Sequence, residues 1–340
     1  MKTPTILFLM ILTLPVFGQD DTKQETPVNG MTISCPGSGR LWGSDAMVET
    51  MKNLKAIGVN WITIHPYAGI RNNGLVASRV GDGSVAPQWI TRPIKEAHKL
   101  GLKVLMKPHI AYWGSKFSWR GEIAFEAKDE QERFFSSYEK WIVAMAKISK
   151  EADAFVIGTE LDKLVHHKAE WQKMIKSVRT MFKGPLTYAA NWSDFERVPF
   201  WQELDVVGIQ AYFPIIEGPH AGNKTPTREM VRGGWQKISK RMNAYSKATG
   251  KKICFTELGY NRSSVAPYKP WDYATGGEGA ESIQTICMEE ALKAIAKEPA
   301  IVGSFLWKYF PGRRQPRNFN MHTKAMRDTI KAQWKETKKS

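Results

Sequence analysis

Eight short apolar runs, separated by stretches with helical periodicity, form the main pattern of this chain. The runs cover residues 31–36, 60–67, 103–110, 154–161, 185–191, 206–214, 252–260 and 301–311. Each run is nearly continuously apolar and contains β-branched residues, which is typical of parallel strands buried on both faces. Eight such strands alternating with helices in one chain predict a single (β/α)8 TIM barrel, an α/β fold.

Helices are expected between most of these runs. The longer ones are predicted at about 128–151, 168–182, 228–249 and 279–297. Two shorter helices are predicted to begin at Asp45 and Thr91, each capped by that side chain, and to end near Gly58 and Gly101. The connection between the fifth and sixth strands has room for at most about two helical turns near 194–204. An open doubly wound sheet is the competing architecture, but neither GxGxxG nor GxxxxGK[ST] occurs in the sequence.

The first eighteen residues have the pattern of a secretory signal peptide. One early lysine precedes an apolar run from Ile6 to Phe17, and small or medium residues lead to Gln19. The run is short for a membrane span and no comparable run follows. We therefore predict a signal peptide over 1–18, a catalytic domain over 28–335 and export to the periplasm or the medium without stable membrane insertion. A retained anchor is the alternative.

The chain is basic, with 49 Lys and Arg against 33 Asp and Glu, and a formal net charge of +16. Such a balance can indicate a nucleic-acid or acidic-polymer partner. The lysines, however, are spread along helical stretches such as 237–252 and 335–340, where solvated helix faces are the ordinary explanation. We therefore expect no nucleic-acid partner. The protein is also expected to be a monomer.

The three cysteines, Cys35, Cys254 and Cys287, match no zinc spacing.

Polar and aromatic side chains cluster where the predicted strands end. They are His65, Tyr67, Lys107, His109, Tyr112, Trp113, Thr159, Glu160, Asn191, Trp192, Gln210, Tyr212, Glu257, Tyr260, Trp307, Lys308 and Tyr309. In a (β/α)8 barrel the C-terminal ends of the strands carry the active site. This pattern therefore predicts an active site rather than a purely structural barrel.

Glu160 and Glu257 are the strongest pair in this set. They follow the fourth and seventh apolar strands, which face each other across a barrel mouth. Two opposed carboxyl groups can cleave a glycosidic bond, one as the proton donor and the other as the nucleophile or base. The alternative is that each carboxylate only forms an ion pair with Lys107, Lys308 or an arginine. Indole and phenol rings such as Trp113, Trp192, Tyr212 and Trp307 offer flat surfaces for sugar rings.

Other reaction classes have weaker support. His65 and His109 with a glutamate could ligate Zn²⁺, but no HxH or HExxH spacing occurs and Lys107 would repel a cation. No GxSxG motif marks a serine hydrolase. We therefore predict no metal and no cofactor.

The segments "KVLMKPHI", "FVIGTEL", "LTYAANW", "LDVVGIQAYFP", "ICFTELGY" and "GSFLWKYFP" resemble glycoside hydrolase family 113, retaining β-mannanases of the clan A barrels. The resemblance covers about residues 30–315. It implies that Glu160 is the acid/base, Glu257 the nucleophile, Trp307 the floor of the cleavage subsite and Tyr212 a hydrogen-bond partner of Glu257. The predicted substrate site contains His65, Lys107, His109, Trp113, Asn191, Tyr212 and Trp307.

The resemblance also leaves choices open. Most clan A members place Asn before the acid/base, whereas this chain has Thr159, so the contact to the sugar 2-hydroxyl falls to Asn191 or Lys107. We expect hydrolysis of β-1,4-mannosidic bonds by double displacement, with the two carboxyl groups about 5–5.5 Å apart. The alternatives are a barrel hydrolase acting on another β-linked glycan and a barrel that binds carbohydrate without cleaving it.

Overall fold

Eight parallel strands close into a barrel in the computed structural model, which describes residues 26–217, 226–273, 275–312 and 314–336. The predicted signal peptide lies outside the described residues. Within them the chain forms eleven strands: β1 (Val28–Ile33), β2 (Trp61–Ile64), β3 (Tyr67–Ile70), β4 (Val76–Ala77), β5 (Lys103–Met106), β6 (His109–Ala111), β7 (Ala154–Thr159), β8 (Leu186–Asn191), β9 (Val207–Gln210), β10 (Ile253–Leu258) and β11 (Ile301–Tyr309).

The barrel strands follow one another around the ring in chain order, β1, β2, β5, β7, β8, β9, β10 and β11, and β11 pairs again with β1. This arrangement confirms the predicted (β/α)8 barrel. The strand register shifts between Val156 and Thr159 in β7 and between Phe255 and Glu257 in β10. Such irregularities re-aim the side chains that follow them, and both precede or include a candidate catalytic glutamate.

A second, three-stranded sheet in the order β4, β3, β6 was not predicted from the sequence. The prediction of a single strand for each of the apolar runs 60–67 and 103–110 is wrong. Each run is split into a barrel strand and a strand of the small sheet. Pro66 and Pro108 stand at the two breaks. Proline has no N–H to continue a ladder, so the chain leaves the barrel there. His65 and Lys107 therefore occupy the last positions before each departure.

Seven α-helices lie among the described residues: α1 (Asp45–Lys55), α2 (Gln88–Lys99), α3 (Lys128–Ile148), α4 (Lys168–Met181), α5 (Arg228–Thr249), α6 (Ala280–Lys297) and α7 (Lys324–Glu336). The four longer predicted helices are confirmed within three residues at each end. Between β8 and β9 the chain makes two 3₁₀ turns, Phe195–Arg197 and Trp201–Glu203, as expected for so short a connection.

Both predicted capping residues are wrong. The residue before α1 is Ser44, and the Asp45 side chain forms an ion pair with Arg92 instead. Thr91 lies inside α2, which begins three residues earlier. The reason is that Ile90 is fully buried and belongs to the same apolar stripe of α2 as Ile94, so the helix extends toward its N-terminus to bury it.

Two apolar layers fill the fold. A small cluster of Leu105, Val156, Ala189, Cys254 and Phe305 packs together on the barrel strands, and a larger layer joins the strands to the surrounding helices. A Cβ atom at position 30 would lie 2.2 Å from the Phe305 ring, so only glycine fits there. Among the described residues no helix combines the length and the apolar character that a membrane crossing requires.

Candidate active site

Glu257 lies near the end of β10 with a side chain that is almost entirely buried. Its Oε1 accepts a hydrogen bond from Lys107 Nζ at 2.6 Å, and its Oε2 accepts one from the Tyr212 hydroxyl at 2.8 Å. A buried carboxylate is costly unless its oxygens are paired. Here each oxygen has a donor and one donor is cationic, so the ionised carboxylate is stabilised and fixed in orientation.

Lys107 is the cation at the centre of the barrel mouth. Besides Glu257, its fully buried ammonium donates to Gln210 Oε1 at 2.6 Å and to the Thr256 carbonyl at 3.1 Å. Burial lowers the pKa of Lys107, while the charge of Glu257 and its hydrogen bond oppose that shift. All three donor positions of the ammonium are thus used by β9 and β10.

Glu160 follows β7 directly and has a left-handed backbone conformation, with φ of 49°. This region is uncommon for residues other than glycine and recurs at functional turns. The backbone N–H of Glu160 donates to the Ala189 carbonyl at 2.9 Å, which ties the turn to β8. The turn therefore holds the Glu160 side chain at the barrel mouth instead of continuing the strand.

The electrostatic surroundings of Glu160 differ from those of Glu257. Its Oε2 accepts a hydrogen bond from Arg120 at 3.0 Å. Burial raises the pKa of the Glu160 carboxyl above its usual range, and the charge of Glu257 acts in the same direction. Arg120 and Lys107 oppose this shift. A carboxyl group with a raised pKa can hold a proton near neutral pH, as a general acid must.

Arg120 is a site residue that sequence reasoning missed. It begins a 3₁₀ turn, Arg120–Glu122, in the loop after β6, and its side chain is largely buried. Its guanidinium carbon lies 5.9 Å from the centre of the Tyr112 ring, and its Nε has no hydrogen-bond partner among the described residues. No sequence signal marks it, because one arginine in a polar loop is ordinary.

His65 and His109 are buried side by side, with ring centroids 4.9 Å apart. Burial and nearby cations, including Lys107, lower the pKa of both histidines well below the usual value, so both rings are neutral. His65 Nε2 lies 2.7 Å from Ser34 Oγ. Neither nitrogen of His109 has a hydrogen-bond partner among the described residues. A neutral imidazole with two unpaired nitrogens can donate to one sugar hydroxyl and accept from another.

Aromatic rings surround these polar groups. Trp307, at the end of β11, lies nearly parallel to His109, with ring centroids 6.3 Å apart. Trp192 stacks on the partly exposed Trp271 at 5.3 Å, and Trp271 was not predicted to belong to the site. Trp113 is 64% exposed and contacts Tyr67 at the rim. Trp307 therefore lies inside the cleft beside His109, whereas Trp113 lies at the edge of the cleft.

The predicted site residues thus come to one end of the barrel. His65, Lys107, His109, Tyr212, Glu257 and Trp307 form one contact network through the bonds and ring contacts above. Asn191 ends β8 in register with Gln210 of β9. Within the part of the chain that the structure describes, no group of three His, Cys, Asp or Glu side chains is arranged to hold a metal ion.

A further carboxyl pair lies behind Glu160. Asp162, which is largely buried, hydrogen bonds with Asp194 of the loop after β8. Burial raises the pKa of Asp162 to about 8, and the charges of Glu160 and Asp194 add to this shift, while Arg197 opposes it. Asp162 is therefore mostly protonated at neutral pH and links the Glu160 loop to the loop that follows Asn191.

The chain is similar to known proteins in sequence and in fold. A sequence profile of Glycoside Hydrolase Family 113 matches residues 31–324. The structure is similar to that of the GH113 β-mannanase AaManA from Alicyclobacillus acidocaldarius in complex with ManMIm, with 25% identity, 92% of this chain and 99% of the other covered, and a TM-score of 0.78. No curated protein sequence matches the chain significantly.

More distant structures share the fold. A GH113 β-1,4-mannanase complex aligns at 20% identity over 91% of this chain and 99% of its own, with a TM-score of 0.76. A glycoside hydrolase family 5 mannosidase from Rhizomucor miehei aligns at 11% identity over 92% and 94%, with a TM-score of 0.61. At these identities the likeness shows a common barrel.

Proposed function

Since the chain belongs to glycoside hydrolase family 113, we propose that it cleaves β-1,4-mannosidic bonds in mannan-type chains with retention of anomeric configuration. One observation carries the proposal: Glu257 and Glu160 share one barrel mouth in different electrostatic settings. Lys107 and Tyr212 hold both oxygens of Glu257, whereas Glu160 accepts one hydrogen bond from Arg120 and has a pKa that burial raises in spite of that cation. Double displacement needs this combination of an ionised nucleophile and a protonated acid.

The first step joins Glu257 to the sugar. A Glu257 carboxylate oxygen attacks the anomeric carbon while Glu160 transfers its proton to the departing glycosidic oxygen. The carbon–oxygen bond breaks, and its electron pair stays with the protonated leaving group. In the second step Glu160, now ionised, takes a proton from water, and the hydroxide oxygen displaces Glu257 from the anomeric carbon. Both glutamates return to their starting protonation states.

The surrounding residues have supporting roles in this scheme. Lys107 and Tyr212 hold the two oxygens of Glu257, which fixes the direction of attack. Trp307 offers its ring as the floor for the sugar that is attacked, and His109 presents unpaired ring nitrogens beside it. Asn191 lies at the end of a neighbouring strand and is our choice for the 2-hydroxyl contact, since the hydrogen bonds of Lys107 are already used.

Mannan as the substrate rests on family relatives. AaManA, at 25% identity, is a β-mannanase that was solved with the ligand ManMIm, and a further family member is a β-1,4-mannanase. These activities belong to those proteins. They support a β-1,4-linked mannose chain as the first substrate to test here.

The deciding experiment incubates the purified protein with β-mannan, β-glucan, xylan and chitin oligosaccharides and identifies products by mass. We expect cleavage of the mannan series, with NMR showing the β-anomer as the first product. If only another series is cleaved, that glycan is the substrate. Binding without cleavage would indicate a carbohydrate-binding barrel. A first-formed α-anomer would contradict double displacement.

Two variants test the assigned roles. Glu257→Gln removes the nucleophile and should abolish turnover on every substrate. Glu160→Ala removes the acid and should retain activity only where the leaving group needs no proton, such as a dinitrophenolate. If either variant keeps wild-type activity, the glutamate replaced in it does not have the assigned role.

A further inference from the structure

A cavity of about 330 Å³ opens beside the active site, between the loop after β1, the small sheet and helices α2 and α3. Trp42, Trp89 and Trp141 line it together with Tyr67, and Arg79 is the charged residue among its described lining. Its volume lies at the lower end of the range of about 300–1,000 Å³ for small-molecule sites. No role in the cleavage reaction above uses this space.

The walls of the cavity are fixed indole rings. Trp42 and Trp89 lie 6.2 Å apart with their planes inclined by 33°, and Trp42 Nε1 donates to the Ile33 carbonyl at 2.8 Å. Trp141 is buried in α3, and its Nε1–H has no hydrogen-bond partner among the described residues.

The chemistry of the lining favours a neutral sugar. Trp89 and Tyr67 are partly exposed, and their aromatic surface suits the C–H surfaces of a sugar ring. The hydroxyl groups of Ser38, Ser78 and Tyr67 suit its hydroxyls. No carboxylate stands among the described lining residues, so a metal ion or an amine lacks its usual ligand there. A single guanidinium, that of Arg79, can donate to ring or hydroxyl oxygens.

The ring of His65 lies between Trp42 of the cavity and Trp307 of the proposed cleavage subsite. His65 contacts Trp42 with ring centroids 5.7 Å apart and Trp307 with centroids 5.2 Å apart. Tyr67 borders the cavity and also contacts His109 at 5.5 Å. Tyr67 is partly exposed, so a glycan that lies on Trp307 has Tyr67 and the cavity beside it within reach of a neighbouring unit.

We propose that this cavity binds one neutral hexosyl unit of the glycan whose cleaved bond lies at Glu160 and Glu257. The inference rests on the proposed function, because it requires a glycan in the adjacent cleft. α3 closes the far side of the cavity through Trp141 and Met145, so the bound unit is an end of the chain or a branch. A chain end and a branch both present a hexosyl unit, and the experiment below distinguishes them.

A plug variant tests the cavity without removing any wall. Gly69 lines the cavity, and a Cβ atom added there meets no atom within 4 Å, so Gly69→Phe fills the space without a backbone clash. Gly233→Phe on α5 is the matched control, since a Cβ there also meets nothing. Trp89→Ala removes one wall instead. Thermal unfolding of all three variants checks that they are folded.

The readout is kcat/KM on linear β-1,4-manno-oligosaccharides of increasing length and on the same chains with one galactosyl branch. We expect Gly69→Phe and Trp89→Ala to lose about tenfold on the chains that reach the cavity, mainly through KM, and to match wild type on the shortest cleaved chain. A loss on linear chains identifies a chain end, and a loss on branched chains alone identifies a branch. Equal values for wild type, Gly69→Phe and Trp89→Ala on every chain would overturn the inference.

A separate result would reject the proposed function. If the wild type cleaves none of these chains, mannohexaose and its galactosylated form are titrated against wild type, Gly69→Phe and Gly233→Phe by calorimetry. Weaker binding to the plug variant than to Gly233→Phe supports the cavity even without cleavage. Equal affinity, or no binding to any of the proteins, rejects it.

Discussion

Lys107 Nζ and Glu257 Oε1 lie 2.6 Å apart in the barrel mouth, and neither side chain has appreciable contact with solvent. A buried ion pair of this kind is stable only if the remaining donors and acceptors are also satisfied. Gln210, Thr256 and Tyr212 meet that requirement here. The pair therefore presents a carboxylate whose position is set before a substrate arrives, which lowers the cost of reaching the attacking geometry.

The first prediction concerns removal of that cation. Lys107→Met leaves the Glu257 carboxylate buried without its charged partner, and we expect a loss of about 3–5 kcal/mol in the free energy of unfolding. Denaturant titration measures this loss. Lys107→Met combined with Glu257→Gln should recover part of it, because no buried charge remains. Equal stability of the two variants would contradict the ion pair as the reason.

The second prediction concerns the other oxygen of Glu257. Tyr212→Phe deletes the hydroxyl that donates to Oε2 at 2.8 Å. A hydrogen bond to a charged group contributes about 1.5–3 kcal/mol, so kcat should fall by about 10- to 100-fold with little change in KM. Tyr245→Phe is the control, since its hydroxyl donates to the Phe195 carbonyl at 3.3 Å and not to either catalytic glutamate. An unchanged kcat for Tyr212→Phe would show that Lys107 alone positions the nucleophile.

The barrel and its two glutamates were predictable because apolar strands and amphipathic helices alternate along the whole chain. Glu160 and Glu257 each end such a strand, so a barrel places them at the same mouth. The small sheet was not predictable in this way. Its strands β3 and β6 continue the apolar runs of β2 and β5, and hydrophobicity does not reveal the breaks at Pro66 and Pro108.

Arg120 and Trp271 illustrate a second limit. Both come from loops after barrel strands, and their positions depend on how those loops fold back over the mouth. Periodicity fixes which face of a strand or helix is buried, but it gives no information about the path of a loop. The left-handed backbone of Glu160 was likewise invisible, since its sequence context continues an apolar strand.

The third prediction concerns the effect of the Arg120 charge on the pKa of Glu160. Arg120 lowers the pKa of Glu160, so Arg120→Met should raise it further. Glu160 acts as an acid and loses activity as pH rises through its pKa; the alkaline limb of kcat/KM should therefore move to higher pH. Lys116→Met removes an exposed cation from the same loop and should leave the limb in place. If the alkaline limb stays in place in Arg120→Met, a group other than Glu160 determines it.

The fourth prediction concerns the protonated pair behind the acid. The pKa of Asp162 in the folded protein is about 8, chiefly because the side chain is buried, with the charges of Glu160 and Asp194 adding to the shift. The unfolded chain releases this proton near pH 4. Between those values the folded state binds the extra proton, so stability falls as pH rises, by at most about 1.4 kcal/mol per pH unit, and the loss levels off above about pH 8.

Asp162→Asn keeps a group that can donate to Asp194 and removes the titration. We therefore expect the variant to gain stability relative to wild type as pH rises from 5 to 8, measured as the difference in the free energy of unfolding at each pH. Asp129→Asn is the control, since Asp129 is exposed on α3 and pairs with Arg133. If the difference between Asp162→Asn and wild type is the same at both pH values, Asp162 is already ionised in the folded protein, and its link to Asp194 cannot be a shared proton.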